Sequence, residues 1–228
     1  MNKNLFLFFV LGAFSLGSLG ASADFVTFPT EDASWTVDIT NHPSAASASA
    51  PGTAKNGPPP AYPTHVAVTQ KGKLKRIQIT WSDGKKTERW VISGLPVTFN
   101  EDPRNGQVRP IQNGSFHEKL SNLSFSYDTF AFNWITADSL QGKDPVSYQG
   151  KQCFHYLGTA GIAMDDFRDS QSKREAWIDS KTGLPVALDT GDAISTYTFS
   201  DKPPTDPLVP PPAFAKEFIY YKAVLGVP

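Results

Sequence analysis

The sequence predicts a mainly β protein whose strands form an antiparallel sheet. Apolar residues recur at every second position in Ser34–Thr40, Arg76–Trp81 and Leu184–Leu188. This alternation is typical of strands with one buried and one solvated face, and such strands favour antiparallel sheets because parallel sheets are covered on both faces. Asp83-Gly84, a strong hairpin signal, follows one of these strands. Helix signals are scarce by comparison.

The first half of the chain reads as a series of hairpins. A strand is predicted near His65–Gln70, and a bend at Lys71–Lys73 joins it to the strand Leu74–Trp81. The Asp-Gly turn then leads into a strand at Thr87–Ile92. Sequential strands joined by short turns of this kind predict a meander.

The second half continues the pattern. Phe130, Phe132 and Trp134 would share one face of a further strand. A turn at Thr190–Asp192 is expected to precede a strand at Ile194–Phe199. Extrapolated over the chain, these turn signals predict roughly eight to ten strands.

Residues 173–185 read as a strand, a tight turn and the start of another strand. Asp179 can accept hydrogen bonds from the backbone N–H groups that follow it, and Gly183 can adopt the positive φ that such turns require. Asp179 and Gly183 are therefore expected to build the turn, with no chemical role.

Helices are expected only in short pieces. Ser115–Leu123 could form two turns, with Ser115 as cap and Glu118 at the capping-box position. Ala137–Gln141 and Ala160–Asp169 are weaker candidates. Ala213–Tyr220 fits a helix and a final strand equally well.

The chain divides into an amino-terminal segment, residues 1–23, and the strand-rich remainder. Residues 1–23 combine a basic start at Lys3, an apolar run over Leu5–Leu16 and a small-residue exit at Ala21–Ala23. This is the pattern of a secretory signal peptide cleaved near Ala23, and the apolar run is shorter than a membrane-spanning helix requires. Residues 24–228 are expected to form one exported, soluble β-rich domain with a flexible Pro-, Ala- and Ser-rich loop at 43–63.

The charge composition argues against nucleic-acid binding. The chain has 21 basic and 22 acidic residues, a balance that offers no electrostatic footprint for nucleic acid. The single cysteine, Cys153, lies in an apolar strand pattern and is expected to be a buried structural thiol. We expect a monomer without stable membrane insertion.

Candidate chemistry is sparse. No pair of the four histidines, His42, His65, His117 and His155, has the spacing of a helical metal site. Asp165, Asp166 and Asp169 match no known calcium loop. Glu88 and Glu175 each lie in a strand near a Trp, as the carboxylates of a sugar cleft would. Cross-strand ion pairing explains the two glutamates as well. We therefore expect no catalytic residue, metal or cofactor.

A resemblance adds to this interpretation. Residues 177–185 read Trp-Ile-Asp-Ser-Lys-Thr-Gly-Leu-Pro, after the aromatic-bearing strand Tyr148–Phe154. This segment resembles the periplasmic lipoprotein carrier and sorting superfamily of LolA-type carriers, LolB-type receptors and the amino-terminal domain of RseB-type regulators. The resemblance implies one large curved antiparallel sheet, a half-barrel with a few short helices on its concave side.

Such a concave side is a natural cavity for an apolar ligand. Aromatic and aliphatic residues are expected to line it: Trp35, Ile77, Ile79, Trp81, Trp90, Phe130, Phe132, Trp134 and Trp177. Stripes of this kind more often belong to the hydrophobic core than to a ligand site.

The expected function is an exported, non-catalytic binding protein with an apolar cavity for a lipid or acyl group, as the resemblance implies. A lipophilic ligand or an acylated protein would be its partner. Two alternatives stay open: an exported carbohydrate-active enzyme or sugar-binding module, and a protein-interaction module whose own residues fill the cavity.

Overall fold

The computed structural model describes residues 25–42, 61–102, 105–112, 127–159 and 173–225. Within these ranges the strands are β1 (Ala33–Asn41), β2 (Pro63–Lys71), β3 (Leu74–Trp81), β4 (Lys86–Ile92), β5 (Val97–Glu101), β6 (Val108–Gln112), β7 (Val146–Tyr148), β8 (Lys151–Thr159), β9 (Lys173–Asp179), β10 (Pro185–Asp189) and β11 (Ala193–Phe199). Two short 3-10 segments, Thr129–Phe132 and Ala137–Ser139, and one helix, α1 (Pro212–Leu225), complete them.

Several expected features lie outside the described residues: the signal peptide 1–23, residues 43–60 of the loop, the helices Ser115–Leu123 and Ala160–Asp169, His117 and the Asp165–Asp169 cluster. Within the described ranges, no helix has the length and apolarity needed to cross a membrane.

All eleven described strands belong to one antiparallel sheet, in the order β6-β5-β4-β3-β2-β1-β11-β10-β9-β8-β7. Two meanders, β1–β6 and β7–β11, meet at the β1–β11 pair, where Trp35 lies opposite Phe199 and Val37 opposite Tyr197. The sheet does not close on itself, because β6 and β7 are its two edges. The predicted mainly β, single-sheet fold is confirmed, and a twisted open sheet of this size is consistent with a curved half-barrel.

One face of the sheet, called here the Trp35 face, carries the larger core. The register places Trp35 opposite Val68, and Val68 opposite Ile77, so these side chains lie in one row. Val26, Phe28 and residues from 127 to 135 pack over this row.

The opposite face, called the Trp90 face, carries a second core. Trp90 lies opposite Arg76, one position out of phase with Ile77, and therefore points away from the Trp35 face. Phe214 and Phe218 of α1 pack against it. The helical segments thus divide between the faces, with the 3-10 segment Thr129–Phe132 on the Trp35 face and α1 on the other. Ala213–Tyr220, for which the sequence fits a helix and a strand equally well, is helical.

The predicted hairpin turns are present. The β2–β3, β3–β4 and β10–β11 connections lie at the predicted positions. Gly72, Gly84 and Gly191 lie in these turns with φ of 56°, 81° and 83°. These are left-handed values that glycine adopts without steric cost.

The Asp179–Gly183 turn also has the predicted mechanism. Asp179 Oδ1 accepts hydrogen bonds from the backbone N–H groups of Lys181 and Thr182 at 2.9 and 3.0 Å. Partial burial acts to raise the pKa of Asp179, but these backbone donors, the Thr182 hydroxyl and the charge of Lys151 together outweigh it, so the pKa is lowered. Gly183 has φ of 70°, and its carbonyl accepts a 2.8 Å hydrogen bond from Thr27 N. The turn therefore anchors the segment that carries Phe28 over the core.

The strand predicted around residues 130–134 is wrong. Thr129–Phe132 is a 3-10 segment, and Ile135 N donates to Phe132 O at 2.9 Å. Ala131, Phe132 and Ile135 are buried together, which is a helical spacing that a strand would split between two faces. The side chain of Phe130 lies outside the described part of the structure.

The predicted alternation over Leu184–Leu188 is also imperfect. The register of β10 against β9 shifts between Pro185 and Ala187. Val186, Ala187 and Leu188 are all buried. A bulge of this kind adds a residue to one strand and breaks its period of two.

Substitution of Gly183 tests the anchoring role of the turn. A Cβ at Gly183 would lie 3.0 Å from Thr27 Oγ1, whereas one at Gly84 would meet nothing within 4 Å. Because both glycines have positive φ, we expect Gly84→Ala to cost about 1–2 kcal/mol of unfolding free energy. Gly183→Ala should cost roughly 1 kcal/mol more through the contact with Thr27. Urea denaturation measures the unfolding free energy of both variants. Equal losses would contradict the close contact between Gly183 and Thr27.

Candidate functional site

Four of the predicted cavity residues lie together in the core of the Trp35 face. Trp35, Ile77, Ile79 and Phe132 belong to one cluster and are at most 4% exposed. The ring of Phe28 packs edge-on against Trp35, with centroids 5.9 Å apart, and lies 6.0 Å from Phe132. The chain's own side chains therefore occupy much of the space over these residues.

Trp81 and Trp134 are only partly buried and lie at the margin of the same cluster. Trp81 Nε1 donates to Thr87 Oγ1 at 2.9 Å, and Trp134 Nε1 donates to Ala131 O at 3.0 Å. The Trp134 ring lies directly over Gly158, where an added Cβ would come within 2.6 Å of its Cε3 atom. Both indoles are thus held by local contacts.

Trp90 and Trp177 lie on the Trp90 face, so neither can line a cavity together with Ile77. Trp90 packs against Phe214 and Phe218, with centroid distances of 6.1 and 6.3 Å. Trp177 is part of a separate aromatic group near the β7 edge.

In that group, Trp177 stacks on two rings of its own chain. Tyr148 lies 4.2 Å from it and His155 lies 5.0 Å from it, at interplanar angles of 14° and 10°. Glu175 is hydrogen-bonded to His155 Nε2 at 3.1 Å and accepts from Lys173 Nζ at 2.8 Å. The bond from Lys173 lowers the pKa of Glu175, partial burial opposes it, and His155 adds to the lowering.

The two glutamates noted in the sequence do not form a pair. Glu88 is in β4 and Glu175 is in β9, and the strand order separates them by six interstrand spacings of about 4.8 Å. Glu88 also has partners of its own, accepting from the Arg76 guanidinium and from Trp90 Nε1. Among the residues that the structure describes, no three His, Cys, Asp or Glu side chains converge on a metal position.

Cys153 is fully buried and makes no disulfide. Burial raises the pKa of its thiol, and the charge of Asp179 on the neighbouring strand adds to the increase. The predicted buried cysteine is confirmed, and its raised pKa disfavours the reactive thiolate.

A cleft of about 290 Å³ opens at one end of the Trp35 face, at the margin of the core. Its lining consists of Phe28, Pro29, Thr30, Trp35, Gln70, Lys75, Asp128 and Thr129. Trp35 forms an aromatic wall that is fixed in place, because its Nε1 donates to Tyr127 O at 2.9 Å. Three apolar residues and five polar or charged residues thus line one concave, open space.

Lys75 is the charged residue that the β-sheet contributes to this cleft. It lies opposite Gln70 on the Trp35 face, and its Nζ lies 5.8 Å from the centroid of the Trp35 ring. Burial lowers the pKa of Lys75, and the nearby negative charge of Asp128 only partly offsets this.

The sequence prediction missed Lys75, although a signal was present. Lys75 precedes Ile77 and Ile79 by two and four positions, so strand alternation places it on the same face as these buried residues. A lysine in the buried phase of a strand is uncommon. The other walls, Phe28–Thr30 and Asp128–Thr129, come from distant segments that no local pattern brings together.

The comparisons with known proteins are few. No protein-family model and no curated protein matches the sequence. Among solved structures, the crystal structure of lipoprotein LppX from Mycobacterium tuberculosis is similar, with a TM-score of 0.40 and 15% sequence identity. The alignment covers 77% of this chain and 89% of that chain.

Gly158→Ala tests the packing of Trp134. The added methyl group cannot fit under the indole, so the ring must move. We expect a loss of about 1–3 kcal/mol of unfolding free energy, as for overpacked sites in general. The indole N–H resonance of Trp134 should also shift in a ¹H–¹⁵N spectrum. An unchanged resonance, with unchanged stability, would contradict the observed contact.

Proposed function

We propose that the protein is an exported, non-catalytic binding protein that holds an apolar or acyl group in the cleft beside Trp35. The observation that carries the proposal is the cleft itself, where the wall formed by Phe28 and Trp35 opens at the end of a buried apolar core. Export rests on the signal-peptide pattern of residues 1–23.

The size of the cleft suits a short apolar segment. The volume of about 290 Å³ has room for a chain of several carbons, which would remain partly exposed because the cleft is open to solvent. Each buried methylene contributes about 0.8 kcal/mol, so six would give about 5 kcal/mol before the costs of association. This predicts weak to moderate affinity for a simple acyl chain.

Binding explains the lining better than catalysis does. The titratable side chains in the lining are Lys75 and Asp128, and neither is accompanied by a hydroxyl or thiol nucleophile with a base beside it. Thr30 and Thr129, which bring hydroxyl groups to the cleft, lie on its exposed rim.

Saccharide stacking is less well supported. Trp177, the partly exposed indole of the Trp90 face, is already stacked on Tyr148 and His155. A sugar ring would have to displace one of these two rings or use the outer surface of the stack.

A fluorescence titration with N-phenyl-1-naphthylamine, an uncharged hydrophobic probe, tests the proposal. We expect saturable enhancement that decanol reverses. Thr30→Trp should weaken probe binding at least tenfold, because an indole at the exposed Thr30 position would fill the cleft.

Thr198→Trp is the matched control, because Thr198 is exposed on the Trp90 face, one position out of phase with Tyr197. It should bind the probe as the unmodified protein does. Absence of saturable binding, or equal binding by the Thr30→Trp variant, would refute the proposal.

A further inference from the structure

We propose that the ligand of the cleft is an anionic amphiphile, and that Lys75 binds its singly charged oxyanion head group while the aromatic wall holds the chain. This inference rests on the proposed binding function and specifies its ligand class. It follows from the position, surroundings and charge of Lys75.

The position of Lys75 is fixed by the sheet. Lys75 pairs with Gln70 on β2 and with Val91 on β4, and this register directs its side chain to the Trp35 face. Gln70 is held in turn, because its Nε2 donates to Glu31 O at 3.2 Å. A group entering the cleft therefore meets an ammonium on a rigid strand.

The surroundings leave that ammonium without an acceptor. Lys71 donates to two backbone carbonyls at 3.1 and 2.6 Å, and Lys173 donates to Glu175. Among the described residues, no hydrogen bond or salt bridge reaches Lys75 Nζ, and its recorded contact is the face of the Trp35 ring. A partly desolvated ammonium with three unused donors is a position at which an anion gains strong, charge-assisted hydrogen bonds.

Asp128 shapes the selectivity of the site. Its carboxylate lies in the same cleft, and its field acts on Lys75 less strongly than burial does. Asp128 repels an anion in the cleft, and this repulsion increases with the charge of the head group. We therefore expect a carboxylate or a phosphodiester to bind in preference to a dianionic phosphate monoester.

The site also matches an amphiphile in its layout. Lys75 and the Trp35 ring are neighbours, so a head group bound at Nζ places the adjoining carbons against aromatic surface. Phe28 and Pro29 are the other apolar residues in the lining. One ligand can satisfy both features.

Displacement of N-phenyl-1-naphthylamine by ligands of equal chain length tests the inference. Decanoate, the methyl decyl phosphate diester and decanol share a ten-carbon chain and differ in the head group. We expect both anions to bind the unmodified protein roughly tenfold more tightly than decanol, the effect of one charge-assisted hydrogen bond. A preference for one anion over the other would distinguish a fatty acid from a phospholipid head group.

The substitution Lys75→Met keeps most of the length of the unbranched side chain and removes the charge. It should abolish the preference for anions over decanol, and Lys75→Arg should retain that preference. Lys73→Met is the matched control, because Lys73 is exposed in the β2–β3 turn and its loss changes the net charge equally. Because Lys75 is desolvated and unpaired, Lys75→Met should be at least as stable to urea as the unmodified protein.

Equal affinity of the unmodified protein for decanol and the anions would overturn the inference, as would a preference retained by Lys75→Met. In both cases the proposed binding function would stand, because decanol still binds. If no ligand displaced the probe, or if the probe did not bind, the proposed function itself would fail.

Discussion

The pairing of β1 with β11 is the constraint on which the rest of the structure depends. Within each meander every strand pairs with its neighbour in the sequence, whereas this pair joins strands from opposite ends of the described chain. Phe28 lies over this β1–β11 seam, with edge-on contacts to Trp35, Tyr197 and Phe199 at centroid distances of 5.9, 6.2 and 5.8 Å. Without the seam, the two apolar faces would not align into one core, because their register is set only there.

The cleft is a consequence of how the seam is covered. Two irregular segments, residues 25–30 and 127–135, lie across the Trp35 face instead of a long helix, and they meet over Trp35. Each is held by a backbone contact: Thr27 N to Gly183 O, and Trp35 Nε1 to Tyr127 O. The cleft is lined by residues of both segments and by Lys75 of the sheet. The open space therefore has a structural origin, and its aromatic wall serves the core as well.

Local patterns predicted most of the strands and turns, since side-chain alternation and turn chemistry are set by neighbouring residues. They did not predict β5 and β6, and the single strand expected over Tyr148–Phe154 is wrong, because the β7–β8 turn lies within it. Local patterns were also misleading at residues 130–134, where alternating aromatic residues belong to a 3-10 segment whose buried side chains follow helical spacing. Cross-strand register decides on which face of the sheet Trp90 and Trp177 lie. For Trp90 the register of the β3–β4 hairpin would have been enough to predict the face. For Trp177 the face relative to Ile77 is set only by the pairing of β1 with β11. The walls of the cleft depend on tertiary contacts that no sequence period encodes.

Lys75 is a charged residue at a position of β3 where strand alternation predicts an apolar one. Alternation places a charge in the buried phase of β3, where desolvation is unfavourable unless a partner compensates for it. Lys71 and Lys173 have hydrogen-bond acceptors, whereas among the described residues Lys75 has the face of an indole and the charge of Asp128, which only partly offsets burial. A charged group that is perturbed by desolvation in a concave space is a candidate for a functional site. Lys75, whose burial is unfavourable for the core, thus places a positive charge in the cleft. In the proposed complex this charge would determine at which end of the cleft the head group of the ligand lies.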